Sequence, residues 1–254
     1  WLTVRFGIDG ASSEMICLSD MMKIKLLFLF SIAFLFMSPT RSPLTAWTPA
    51  AVVSQAEVER YGLNRCFTAV PIPDHIFQRM RGHSYPSNCD IPRADLRYLK
   101  VLHYDFNGRI RLGEMVCNKS VANDLLFVFR QLYHKRYAIG SMRLIDDFGA
   151  DDEHSMQANN TSCFCYRRVK GQAKLSKHAL GLAVDVNPLY NPCVRTIRGR
   201  RSVQPANGLP YIDRKAAFSH KISREDVAYK YFTQRGFRWG GAWRSLKDYQ
   251  HFEK

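Results

Sequence analysis

Two imidazoles and two carboxylates stand at spacings that suit hydrolytic chemistry. They lie in Ser176-Lys-His178-Ala-Leu-Gly181-Leu-Ala-Val-Asp185 and, at the C-terminus, in Asp248-Tyr-Gln-His251-Phe-Glu253. His178, Asp185 and His251 suffice to hold one zinc ion with a position left open for water. Water on such an ion has a pKa near ~7, so a modest base is enough to make a nucleophile at neutral pH. Asp248, three residues before His251, is the candidate for that base. A lone Asp-x-x-His carries little information; its coupling to the upstream motif raises it above coincidence.

These groups need elements to position them. In a strand, alternate side chains share a face. A strand over 182–187 therefore turns Leu182, Val184 and Val186 to the core and Ala183, Asp185 and Asn187 toward a cleft. His178 then sits in the preceding loop, which Gly181 lets turn tightly. Asp248 and His251 share a face on a helical turn but not on a regular strand, so a turn or irregularity is expected there. A further strand over 162–169 sets Cys163, Cys165 and Arg167 on one face. Trp239 and Trp243 are candidate cleft walls, although aromatic rings equally build cores. Glu253 is a candidate to orient His251.

Ser-x-His-x-x-Gly-x-Ala-x-Asp followed by Asp-x-x-His resembles the VanY-like D-alanyl-D-alanine carboxypeptidases and their relatives, the L-alanyl-D-glutamate endopeptidases. The likeness is strongest from about Asn159 to the end. It implies a hedgehog/DD-peptidase-like fold and an exported zinc peptidase acting on peptidoglycan stem peptides, foremost as a D,D-carboxypeptidase. It implies His178, Asp185 and His251 as metal ligands and Asp248 as general base. Arg167 takes the place of the arginine that polarises the scissile carbonyl, with Arg168 as its positional rival. Ser176 fills the family's serine position, as a substrate contact or a loop cap. The endopeptidase activity uses the same site. A binding module of the hedgehog type, with zinc in a structural role, is the alternative from another class.

The remaining pattern reads as α+β: a small antiparallel sheet with flanking helices. Residues 44–69 read as a lead-in and 70–254 as the peptidase domain. Turn formers make 71–92 a surface loop, and a strand over 96–106 runs into the hairpin signal Asn107-Gly108. Apolar residues at helical spacing predict a helix at about 120–135. Strand-like residues at 141–148 and a polar, acidic loop at 149–161 follow. Ser223 with Asp226 forms a capping box for a helix that Gly236 stops.

The formal charge of +15 suits a polyanion such as nucleic acid, anionic lipid, or a wall rich in carboxylates and phosphates. The lysines and arginines look scattered, and without a basic stripe or nuclease-type spacing no nucleic-acid partner is expected. Trp1 is no translation start, so residues 1–20 read as upstream translation. Met21 or Met22 then opens a basic and apolar segment to 43, read as a signal peptide or an uncleaved anchor, the one expected membrane contact. Export places the protein in the periplasm, envelope or medium. Of seven cysteines, Cys17 falls in that leader, and the other six suit either a disulfide framework or buried thiols.

Overall fold

The longest strands, Leu96–Tyr104 and Ile110–Asn118, form a hairpin around Asn107-Gly108, where Gly108 takes φ +72°. The Asp105 carboxylate closes the turn by accepting from the Asn107 and Arg109 amides at 2.9 Å. The computed structural model describes residues 42–169, 173–197 and 199–254. Both N-terminal expectations fall almost wholly outside the described residues. Among the described residues, no helix is long and apolar enough to cross a membrane.

Strands β1 (Val52–Val53), β2 (Thr68–Val70), β3 (Leu96–Tyr104) and β4 (Ile110–Asn118) make an antiparallel sheet in the order β1-β4-β3-β2. The Ala122–His134 helix packs on β3 and buries Leu125, Val128, Phe129 and Leu132, the stripe that its spacing predicts. Two small sheets carry the C-terminal third. One joins β5 (Ala183–Asp185), β10 (His251–Glu253) and β8 (Arg238–Trp239) in the order β5-β10-β8. The other joins β6 (Cys193–Ile197), β7 (Arg200–Gln204) and β9 (Leu246–Asp248) in the order β7-β6-β9. The whole from Pro43 to Lys254 is a single α+β unit.

Several local expectations are corrected. Residues 141–148 form no strand: a lone bridge joins Ser141 to Asn160, and a 3-10 turn spans Ile145–Phe148. The aspartates of that turn serve side chains elsewhere, Asp146 accepting from Ser84 and Asp147 pairing with Arg79. Residues 162–169 are extended without a continuous ladder, because successive amides donate to unrelated segments. Phe164 donates to Val116, Cys165 to His178 and Tyr166 to Ser84. The acidic stretch 149–161 contains the Asp152–Gln157 helix, capped by Asp151, and the turn-rich 71–92 contains the Asp74–Met80 helix, which buries Ile76 and Met80. Ser223 is no cap. Asp226 caps the Val227–Gln234 helix by accepting from Ala228 N at 2.7 Å, while Ser223 closes on Glu225.

Residues 44–69 belong to the core, to which they give Leu44, Trp47, Val58 and Phe67. A capping box of Ser54 and Glu57 starts the Gln55–Tyr61 helix there. The six cysteines from Cys66 to Cys193 are free thiols. Burial pushes the Cys66 thiol up to about 11 and that of Cys165 to about 12, which leaves them inert at neutral pH.

Gly181 ties this frame to the candidate site. It takes φ +66°, and its carbonyl accepts from Asn118 N at 2.9 Å, fastening the His178 loop to the end of β4. A Cβ here would lie 2.5 Å from Asn118 N, a backbone atom with no room to yield. Gly181→Ala should therefore cost about 2 kcal/mol or more, from the left-handed conformation and the clash together. Chemical denaturation would measure it; a loss below about 0.5 kcal/mol would show that the loop does not depend on this contact.

Candidate active site

The turn Lys177–Gly181 and strands β5 and β10 bring three ligand-type side chains together. His251 is the cross-strand partner of Asp185, so both side chains leave the same face of the ladder. Asp185 Oδ1 lies 3.0 Å from His251 Nδ1, and Asp185 Oδ2 lies 3.3 Å from His178 Nε2. The two ring nitrogens are 3.2 Å apart. All three residues are buried. The loop His178 is locked from behind, its Nδ1 2.7 Å from the carbonyl of Cys163.

This donor set fits a small divalent ion. The Cys163 carbonyl accepts only a proton, so His178 Nδ1 carries one and Nε2 presents its lone pair. On His251, Nε2 faces Glu253 Oε2 at 3.4 Å, which leaves Nδ1 to face inward. Two inward-facing ring nitrogens and a carboxylate then converge on one point, an arrangement that calls for positive charge at its centre. Donors held tetrahedrally at ~2.0–2.1 Å from zinc stand about 3.3 Å from one another, close to the three separations here. A hydrogen-bonded acceptor behind each imidazole is also what metal-bound histidines carry. Without an ion, a proton takes over that charge. Burial opposes it, but hydrogen bonds to Asp185 and Glu253 push His251 up to about 10. Burial would also raise the Asp185 carboxyl, and the two imidazoles overcome it, holding it well below the usual carboxylate range.

Asp248 reaches the same place from the other small sheet. The chain leaves β9 after Asp248 and enters β10 at His251, so the expected irregularity is a change of sheet. Gly240 makes room for both residues. A Cβ on it would meet Asp248 Cβ at 2.9 Å and His251 Cβ at 3.2 Å, so the two side chains start from either side of one glycine. Asp248 as a residue is half-buried, but its Oδ1 is shielded and has no hydrogen-bond partner. Burial pushes its carboxyl up to about 6 against the pull of His251. A shielded, weakly acidic carboxylate beside a ligand cluster, with the Cys193 thiol as its hydrogen-bonding neighbour, is suited to exchange protons near neutrality.

The other sequence candidates divide. Trp243 borders the cluster, its ring centroid 5.3 Å from that of His251. Trp239 does not: its ring is buried in the core against Tyr229, and its Nε1 donates to Tyr249 O at 2.9 Å. Ser176 is buried and acts as a loop cap, its Oγ accepting from Ala179 N at 3.1 Å. Arg167 is half-buried, pairs with Asp152, and feels the charge of Asp185, whereas Arg168 is exposed and donates to Ala173 O. Arg167 is thus the inward arginine, held back from the ligands by its ion pair. Asn187 faces no cleft; it is buried and bonds the backbone of Ala138 and Gly140.

Three contributors escaped the sequence reading: the Cys163 carbonyl, Asp152 as partner of Arg167, and Cys193, the cross-strand neighbour of Asp248. The first acts through its main chain, and the other two are set by pairings between distant segments, so no local pattern signals them. Glu253 holds His251 while its Oε1 accepts from Arg238 at 2.8 Å. Glu253→Gln should weaken zinc binding about 10- to 100-fold. Competition with a chromogenic chelator would measure it, and unchanged affinity would deny Glu253 the orienting role.

Residues 170–254 match the model of a family described as D-alanyl-D-alanine carboxypeptidase. The match covers all four residues of the cluster and bears out the resemblance to the VanY-like peptidases. No curated protein and no solved structure matches the chain.

Proposed function

From a C-terminal region that matches a carboxypeptidase family, we propose that this protein is a zinc-dependent peptidase that trims peptidoglycan stem peptides, foremost by releasing terminal D-alanine. The carrying observation is the pairing of two features. Two ring nitrogens 3.2 Å apart each lie 3.0–3.3 Å from an oxygen of Asp185, and the Asp248 side chain, its Oδ1 shielded and without a partner, starts from the same glycine-made space. A structural zinc is normally closed by a fourth protein ligand. Here a fourth group, the acidic Asp248, stands near the ligands and outside their hydrogen-bonded set, which favours catalysis over a purely structural metal.

A bound zinc ion supplies Lewis-acid polarisation of the scissile carbonyl and lowers the pKa of a water. The residues of this chain do the rest. His178, Asp185 and His251 hold the charge in one place, with rings oriented by Cys163 and Glu253. Asp248 takes a proton from the attacking water as its oxygen bonds to the carbonyl carbon. It then gives that proton to the nitrogen as the C–N bond breaks, so the products are a carboxylic acid and an amine, between which the remaining water proton passes to leave a carboxylate and an ammonium. Arg167 serves the developing oxyanion if it exchanges Asp152 for substrate, a contribution worth about 3 kcal/mol for a preorganised donor. Trp243 offers a flat apolar wall beside His251. Export through the segment 21–43 belongs to the same proposal.

Mass spectrometry of pentapeptide muropeptides after incubation with the protein, with and without chelator, tests this. Chelator-sensitive loss of one alanine is expected, absent in Asp248→Ala. Cleavage after the first L-alanine would instead indicate the endopeptidase. A folded, zinc-loaded protein that cuts nothing would leave the binding-module reading.

A further inference from the structure

The reverse of the strand that carries Asp248 holds a second concavity, of about 290 Å³, lined by Arg201, Arg244 and Lys247. Strand register explains how residues far apart in sequence meet there. Val194 pairs with Lys247 and Thr196 with Arg201, so these four side chains share one face of the β7-β6-β9 sheet. Cys193 and Asp248, paired one step along, take the opposite face. Basic residues that look scattered in the sequence are thus gathered behind the catalytic strand.

Their charge is left unanswered. No acidic residue lines the concavity. Lys247 Nζ donates to the neutral Gly241 carbonyl at 3.3 Å. Arg201 and Arg244 are exposed and, among the described residues, meet no carboxylate at ion-pair distance. Three like charges around one hollow repel, and an anion seated there removes the repulsion.

We propose that this concavity binds phosphodiester groups of a flexible anionic polymer, independently of the metal cluster. Two guanidinium forks and an ammonium converging from two strands and a loop suit a tetrahedral oxyanion, which accepts from several directions, better than a planar carboxylate. No aromatic ring lines the hollow, so nothing there would stack a base, and this favours a polymer without bases over nucleic acid. Lying behind Asp248, the site would hold the protein on a polyanion while the opposite face works on a peptide.

Fluorescence anisotropy with a labelled oligo(glycerol phosphate) tests the site without requiring hydrolysis, so it stands or falls apart from the peptidase reading. It would be run with and without chelator, which should make no difference. The double variant Arg201→Glu/Arg244→Glu, both exposed positions, should weaken binding about tenfold or more at 0.1 M salt. The double variant Arg60→Glu/Lys135→Glu makes the same charge change on exposed residues outside the concavity and should cost no more than about threefold. Equal losses in the two variants would reduce the effect to net charge and overturn the site. Tighter binding of an oligodeoxythymidylate of equal charge would overturn the polymer assignment in favour of nucleic acid.

Discussion

Asp248→Asn should lose most of its activity and gain stability. As a general base contributes about 10²- to 10⁴-fold, kcat should fall by that amount while zinc affinity stays near wild type. Stability should move the other way. Burial holds the Asp248 carboxyl at about 6 in the folded protein, above its ordinary value of 3.8. A carboxyl with a raised folded pKa favours the fold when protonated, so the wild type loses stability as pH rises from about 4 through 6. Above that range the full cost is present, about 2–3 kcal/mol for a shift of this size. Asparagine never ionises and escapes this cost. Metal-free Asp248→Asn should therefore melt several degrees above the wild type at pH 7, with the gap closing near pH 4. Thermal denaturation across that range, paired with muropeptide kinetics, checks both halves. A variant that is less stable at pH 7 would contradict the burial cost at the Asp248 carboxylate; one that keeps its rate would remove Asp248 from the chemistry.

Zinc should stabilise the protein strongly, because the ligands belong to two strands and a turn that only the fold assembles. At free zinc a thousandfold above its Kd, binding contributes about 4 kcal/mol. For a unit of this size that raises Tm by roughly 8–16 °C. His251→Ala should abolish most of the increase, since it removes one ligand and the partner of Asp185. Its metal-free form should also lose stability, because Asp185 would keep a buried charge with only His178 to answer it. Scanning calorimetry with and without chelator provides the readout. A wild-type Tm that zinc does not move would exclude the cluster as a metal centre, whatever its geometry.

The candidate ligand set was legible in the sequence because metal chemistry restricts residue types. Few accidents produce His178, Asp185 and His251 with Asp248 at these spacings. The Ala122–His134 helix and the β3-β4 hairpin were legible for a local reason: apolar residues at helical period, and an Asn-Gly turn. Strand β5 followed from alternation, with Val184 and Val186 in the core.

Elsewhere the deciding contacts were distant. Residues 162–169 look like a strand, yet their amides serve Val116, His178 and Ser84 in turn, and no local pattern encodes such a route. Trp239 and Trp243 are the same residue four positions apart. One fills the core and the other borders the cluster because the chain turns at Gly240 and Gly241 between them. Arg201 and Lys247 come from opposite ends of the C-terminal third and meet only through the register of β6 with its two neighbours. Sequence alone determined which atoms could hold a metal and move a proton, since that is a matter of side-chain chemistry. Only the tertiary structure decided which face each group occupies, what stands behind it, and whether its charge is answered, since these depend on pairings between segments far apart in the chain.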